Sequence, residues 1–291
     1  MPTPKPPKPR LSVLFASKAP TALILRRGPT NVVELVSWNT ETDTFDRGHW
    51  FRGRIYERRC DLSPDGSLFV YFASKFNRRT VADRTYTYAW TAVSKPPYLT
   101  ALALWPKGDC WWGGGLFQDR RTLLLNHRPT EATPHPEHPP RTLRVVPNPD
   151  ASGEDYPIFA QRLERDGWTE VQAWETTFDP KDYFATVQPG IRKRVHPRER
   201  WSISMICTLE RLRYKERFEV EGPAGPIELP RKSVEWVDWD QRGRLVVLAD
   251  GCVWAAEVTG KRAGRFARLV DLTDDRFETK EAPEWARRWK G

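Results

Sequence analysis

The run Cys60-Asp61-Leu62-Ser63-Pro64-Asp65-Gly66-Ser67-Leu68-Phe69-Val70-Tyr71-Phe72-Ala73 decides how the rest of the chain is read. Pro64 presets φ for the first corner of a turn, and Gly66 takes the positive φ that follows. Residues 68–72 are β-branched, aromatic or leucine with no polar alternation, which predicts a strand buried on both faces. A second version reads Val237-Asp238-Trp239-Asp240-Gln241-Arg242-Gly243-Arg244 and runs into Leu245-Val246-Val247-Leu248-Ala249. Both copies place an aspartate, a short turn ending in glycine, one polar residue and an apolar strand in that order. A third takes the turn at Gln118-Asp119-Arg120-Arg121 and enters Leu123-Leu124-Leu125. A fourth turn, Arg165-Asp166-Gly167, opens onto the alternating residues 168–174.

Taking Gly66, Arg121, Gly167 and Gly243 as equivalent gives gaps of 55, 46 and 76 residues. The first two match one propeller blade of about 40–50 residues. A degenerate blade around residues 201–220 fills the third. With an N-terminal hairpin across Gly28-Pro29, the chain is expected to be all-β, a β-propeller of about five blades, with a β-sandwich as the structural alternative. The expected boundaries are a disordered Pro/Lys-rich arm at 1–10, the propeller at 11–280, and a tail at 281–291 with a short helical turn begun by Pro283. No helical pattern of ten residues or more is read. Ring closure predicts that residues 11–16 pair beside the strands around 245–272.

The Ser63-Pro64-Asp65-Gly66 turn with Leu68-Phe69-Val70-Tyr71 resembles the repeat of the β-propeller superfamily that carries a Ser-Pro-Asp-Gly turn. Trp239-Asp240-Gln241 with Gly243-Arg244-Leu245 is similar to it. The resemblance implies a fold and leaves activity open, because propellers host enzymes, sensors and scaffolds alike.

Fourteen tryptophans against two methionines fit a wall of strands better than a helical bundle. No apolar run approaches the ~20 residues that span a membrane, and residues 1–10 lack the apolar core of a secretory signal. Cys60, Cys110, Cys207 and Cys252 are widely spaced and are read as reduced residues of a cytoplasmic protein. The formal charge is +9, spread as short basic pairs among acids, which describes a solvated surface better than a nucleic-acid footprint.

Candidate chemistry is sparse. His135 and His138 lie three apart in a proline-broken segment, where a fixed frame and a third ligand are not expected, so no metal is assigned there. Asp43, Asp46 and His49 offer an acid/base group near a blade edge, but the spacing is not diagnostic and turn chemistry explains the two aspartates without it. Asp61, Asp238 and Asp240 stand where a carboxylate glycoside hydrolase would need acids, but the repeat itself asks for a polar residue there. Gly113-Gly114-Gly115 precedes a strand rather than a helix and reads as close backbone packing, not a phosphate cradle. No catalytic residue and no cofactor is therefore expected. The function expected is a non-catalytic scaffold that docks a protein partner through one loop rim. The alternatives are a basic nucleic-acid-associated subunit and, below it, a carboxylate-dependent glycoside hydrolase. Binding is assigned to two irregular segments, 126–157 with His135 and His138, and 179–200 with Arg192, Lys193 and Arg194. No membrane partner is expected.

Overall fold

Among the described residues, five mainly antiparallel sheets of three or more strands follow one another along the chain, beside two small hairpins, in the five-blade arrangement of an all-β propeller. The computed structural model describes residues 8–28, 31–149, 155–179, 183–210 and 213–289. The chain divides into two compact units, residues 1–162 with 274–291, and residues 163–273.

The first unit holds three sheets. Arg10–Phe15 (β1), Thr21–Arg27 (β2), Val32–Asn39 (β3) and Thr44–Arg52 (β4) form a meander. Arg54–Ile55 (β5) and Asp61–Leu62 (β6) both pair with Phe69–Ser74 (β7), and Ala89–Ser94 (β8) and Ala103–Pro106 (β9) complete that sheet. A short helix, Arg78–Ala82 (α1), bridges β7 and β8; Asn77 and Thr80 form a reciprocal capping box at its start. Gly115–Phe117 (β10) and Thr122–Leu125 (β11) pair antiparallel, and Arg144–Pro147 (β12) adds in parallel to β11.

In the second unit, Trp168–Gln172 (β13) is followed by a two-stranded excursion, Glu175–Asp179 (β14) with Tyr183–Gln188 (β15). Gly190–Val195 (β16), Ser202–Glu210 (β17), Arg213–Gly222 (β18) and Gly225–Pro226 (β19) then extend the sheet in the order β13-β16-β17-β18-β19. The last sheet is Val234–Trp239 (β20), Leu245–Ala249 (β21) and Cys252–Ala256 (β22), then, past the small hairpin Val258–Thr259 (β23) and Arg262–Ala263 (β24), Ala267–Asp271 (β25).

Strand β7 is buried along its whole length, and its two faces serve different cores. Phe69, Tyr71 and Ala73 pack with Leu14, Leu23, Leu25 and Leu35 of the preceding sheet and with Ile55 of their own. Val70, with Leu68 just before the strand, packs with Phe117, Leu123 and Leu125 of the following one. The turn ahead of it closes as the sequence predicts. Gly66 donates its N–H to Ser63 O at 2.8 Å, the Ser63 hydroxyl accepts from Leu68 N–H at 2.9 Å, and Gly66 sits at φ +72°. In the late copy Asp240 does the same work, accepting from the N–H groups of Arg242 and Arg244, with Gly243 at φ +85°. A Cβ at Gly66 would stand 2.9 Å from Thr21 Cβ besides forcing that φ. Gly66→Val is therefore expected to cost roughly 1–3 kcal/mol, read as a lowered Tm. An unchanged Tm overturns the role given to this turn.

Several expectations are corrected. Residues 156–165 form a ten-residue helix, Tyr156–Arg165 (α2), although the sequence pattern predicts no helix of that length. Pro157 at its first turn is compatible with a helix, and Ile158, Phe159, Arg162 and Leu163 are buried at helical spacing. Gly167 ends this helix and is not a blade turn like Gly66, so the strands at 201–220 belong to the sheet that Trp168 opens. That is why the interval to Gly243 is long: one sheet carries an inserted hairpin. Residues 179–200 are mostly β14, β15 and β16 rather than an irregular loop. β1 pairs with β2 in register from Arg10↔Arg27 to Phe15↔Ala22, and the last sheet is built from residues 234–271, so the expected pairing of 11–16 beside 245–272 is not formed in these sheets.

Of the expected arm at 1–10, residues 1–7 lie outside the described residues, and Arg10 already belongs to β1. The tail carries the helical turn Glu284–Arg287 (α3) after Pro283, and Lys95 Nζ donates to Trp285 O at 2.7 Å while Trp289 Nε1 donates to Leu102 O at 3.1 Å.

Candidate functional site

One end of the second sheet carries the two most exposed aromatic side chains described in the first unit, Phe76 and Trp111. Loop 75–88 leaves β7 and returns to β8, and Lys75 N–H bonds Tyr88 O across its base. Lys107 and Gly108, just past β9, donate to Ala89 O, which brings loop 107–114 to the same end. Phe76 is 63% exposed and Trp111 61% exposed, with Val81 exposed on α1. Phe76 is held against Tyr88, ring centroids 4.7 Å apart. Arg78, Arg79 and Arg84 are exposed around them. The loops are stapled from beneath: Lys107 Nζ, with a side chain 1% exposed, lies 3.0 Å from Asp109 and 2.5 Å from Glu131. The rim is therefore a presented surface on fixed loops.

The segment with His135 and His138 is fixed as well. His135 donates its N–H to Leu104 O at 2.8 Å, Leu104 donates to His138 O at 3.1 Å, and His138 donates to His135 O at 2.9 Å. These bonds lay the segment along β9, on an edge a proline-rich chain can cover because few N–H groups are needed. His135 is buried and stacks on Tyr86, centroids 4.2 Å apart and planes 19° apart. Glu137 accepts from Tyr86 Oη at 2.8 Å. Glu137 was not singled out in the sequence; the His-Pro-Glu-His order was the signal that could have found it. The premise of a proline-broken, frameless loop does not hold.

Arg192, Lys193 and Arg194 lie in the middle of a sheet, on β16 between β13 and β17. Arg192 is buried and pairs with Glu170 at 3.1 Å and Glu164 at 3.6 Å. Arg194 forms an ion pair with Asp238, whose carboxyl burial pushes up to about 6. Two of the three cations are thus committed inside their own unit, and reversing Arg194 would set a second negative charge against the buried Asp238 instead of sparing the fold.

The acids proposed for chemistry have structural partners. Asp61 accepts from Phe117 N–H at 2.8 Å, and Asp240 also takes Arg244 Nε at 2.8 Å. His127 is buried in a relay: Gly114 N–H donates to Thr91 Oγ1 at 2.7 Å, Thr91 Oγ1 lies 2.8 Å from His127 Nε2, and His127 Nδ1 lies 3.0 Å from Glu131 O. The carbonyl can only accept, so Nδ1 carries the proton and Nε2 accepts from the hydroxyl. His196 likewise bonds Gly243 O at 2.8 Å through Nε2. Gly114 is close packing as read: a Cβ there would stand 2.0 Å from Arg59 O.

No protein-family model and no curated protein matches the chain. No helix among the described residues is long and apolar enough to cross a membrane. Among solved structures, the chain is similar to one described as the β-propeller domain of the Trilobed protease from Pyrococcus furiosus with an open velcro topology. The identity is 10% and the TM-score 0.33, over 92% of this chain and 100% of that one.

Proposed function

We propose that this protein is a non-catalytic binding module that docks a protein partner through the rim built by loops 75–88 and 107–114. One observation carries the reading: Phe76 and Trp111 are held exposed on fixed loops at one end of a blade. Large aromatics flanked by arginine are the residue types that dominate binding hot spots, and leaving them in water costs a folded chain apolar area. Arg78, Arg79 and Arg84 around them favour a partner with an acidic face. The structural roles of Asp61, Asp240 and His127 support the non-catalytic part, and four cysteines outside any disulfide fit a cytoplasmic location.

The test is site-specific photo-crosslinking in the native host. A benzophenone amino acid at position 76 or 111 is expected to trap one discrete protein, whereas the same probe at exposed Gln118, at the other end of the third sheet, traps none. The Arg78→Glu, Arg84→Glu double variant should lower the yield at position 76 at least severalfold. Equal trapping at 118, or adducts to nucleic acid alone, would overturn the proposal.

A further inference from the structure

Glu137 and His138 add to His135 what a metal ion needs and what the strap has no other use for. One ligand atom from each of the three residues lies within 4.8 Å of the others. His135 is 4% exposed, and its Nε2 is buried with no hydrogen-bond partner. Its Nδ1 accepts a long bond from Glu137 N–H at 3.2 Å, so the free imidazole carries its proton on Nε2, where nothing accepts it. A buried donor left unmet keeps its full desolvation cost, and such groups in a native fold call for a missing partner. The neighbouring ring of His138 lies with its centroid 5.5 Å from that of His135 and makes no hydrogen bond among the described residues.

We infer that His135, Glu137 and His138 form a binding site for a divalent transition-metal ion of the zinc class. Two imidazoles and one carboxylate are the donor set of three-ligand zinc sites, which keep a fourth position for water or an incoming group. Donors around a tetrahedral Zn²⁺ at ~2.0–2.1 Å stand about 3.3 Å apart, so the cluster needs to close by at most about 1.5 Å. The Tyr86 hydroxyl already orients one Glu137 oxygen at 2.8 Å, as outer-shell partners of metal-bound carboxylates do. The backbone bonds to Leu104 hold His135 and His138 in place before the ion arrives. On ligation through Nε2 the imidazole proton passes to Nδ1, and the Glu137 N–H gives up its long contact there. No proton is lost from the neutral ring in that exchange.

The experiment uses the full chain without a histidine tag, stripped with a chelator and then titrated with Zn²⁺ against a chromophoric competitor. Wild type is expected to take one equivalent in the micromolar range or tighter, and Co²⁺ in its place should give the visible bands of a tetrahedral or five-coordinate site. His138→Ala and Glu137→Gln should each weaken Zn²⁺ at least 10-fold, and Tyr86→Phe by up to about 10-fold. His135 is left unaltered because it packs in the core. Should His138→Ala lose its native circular dichroism, the exposed Glu137→Gln decides alone. Failure of wild type to hold one equivalent, or variants that bind as tightly as wild type, would overturn the inference.

Discussion

Replacing Arg59 with alanine is expected to destabilise the first unit by about 3–5 kcal/mol, the cost of removing one partner from a buried ionic network. Arg59 is 1% exposed. Its Nε lies 2.5 Å from Asp155 Oδ1, and its Nη1 donates to the carbonyls of Cys110 at 2.7 Å and Trp112 at 2.5 Å. The guanidinium also stands 4.7 Å and 5.1 Å from the ring centres of Tyr56 and Phe72. Truncation leaves a carboxylate and two carbonyls without their donor and two rings without their cation. Lysine cannot restore this, because a single ammonium lacks the planar fork that reaches three acceptors at once. Urea unfolding should show Arg59→Ala and Arg59→Lys both well below wild type, alanine the lower. Near-wild-type stability in the lysine variant would mean that charge alone matters and the fork does not.

The second large effect depends on pH. Burial lowers the His127 pKa to about 4 from an ordinary 6.5. The native state therefore refuses a proton that the unfolded chain takes up, and between pH 6.5 and 4 the unfolded state binds more protons. This contribution to stability is complete above about pH 6.5 and is lost as the pH falls towards 4, about 3 kcal/mol in all. Both ring nitrogens are occupied by the Thr91 hydroxyl and the Glu131 carbonyl, so an added proton on Nε2 would face a hydroxyl that already donates to it. Glu34 works in the opposite sense: burial, reinforced by Asp275, pushes its carboxyl up to about 7, and stability from that group falls as pH rises from 4.5 to 7. The difference between wild type and His127→Gln isolates the histidine. Urea midpoints taken from pH 7.5 to 4.5 should converge as the pH falls, because only wild type carries the acid-sensitive component. Parallel curves would show that His127 does not titrate on unfolding.

The candidate site was legible in part. His135 and His138 were visible as a pair, but Glu137 gained meaning only when Tyr86, 51 residues earlier, was found bonded to it. The rim was hidden for a different reason. Nothing in residues 75–88 or 107–114 distinguishes an aromatic in the core from one left in water, and Trp105 and Trp111, six apart, end with 1% and 61% exposure. Arg192 and Arg194 misled for the converse reason, since a basic run reads as surface until the acids that neutralise it, Glu170 and Asp238, are brought across the sheet.

Residues 60–73 by themselves determined a turn, a strand buried on both faces, and through their echoes a chain of repeated sheets. Those are local properties: Gly66 tolerates positive φ wherever it is placed, and an apolar strand needs cover on each side. What tertiary structure decided is pairing. It merged 168–174 with 201–220 into one sheet, kept β1 with β2, and drew the tail onto Lys95 and Leu102. Strand partners, buried ion pairs and the edge that a proline-rich strap covers depend on which distant segments meet. That choice is set by the summed packing of whole faces, and no window of sequence contains it.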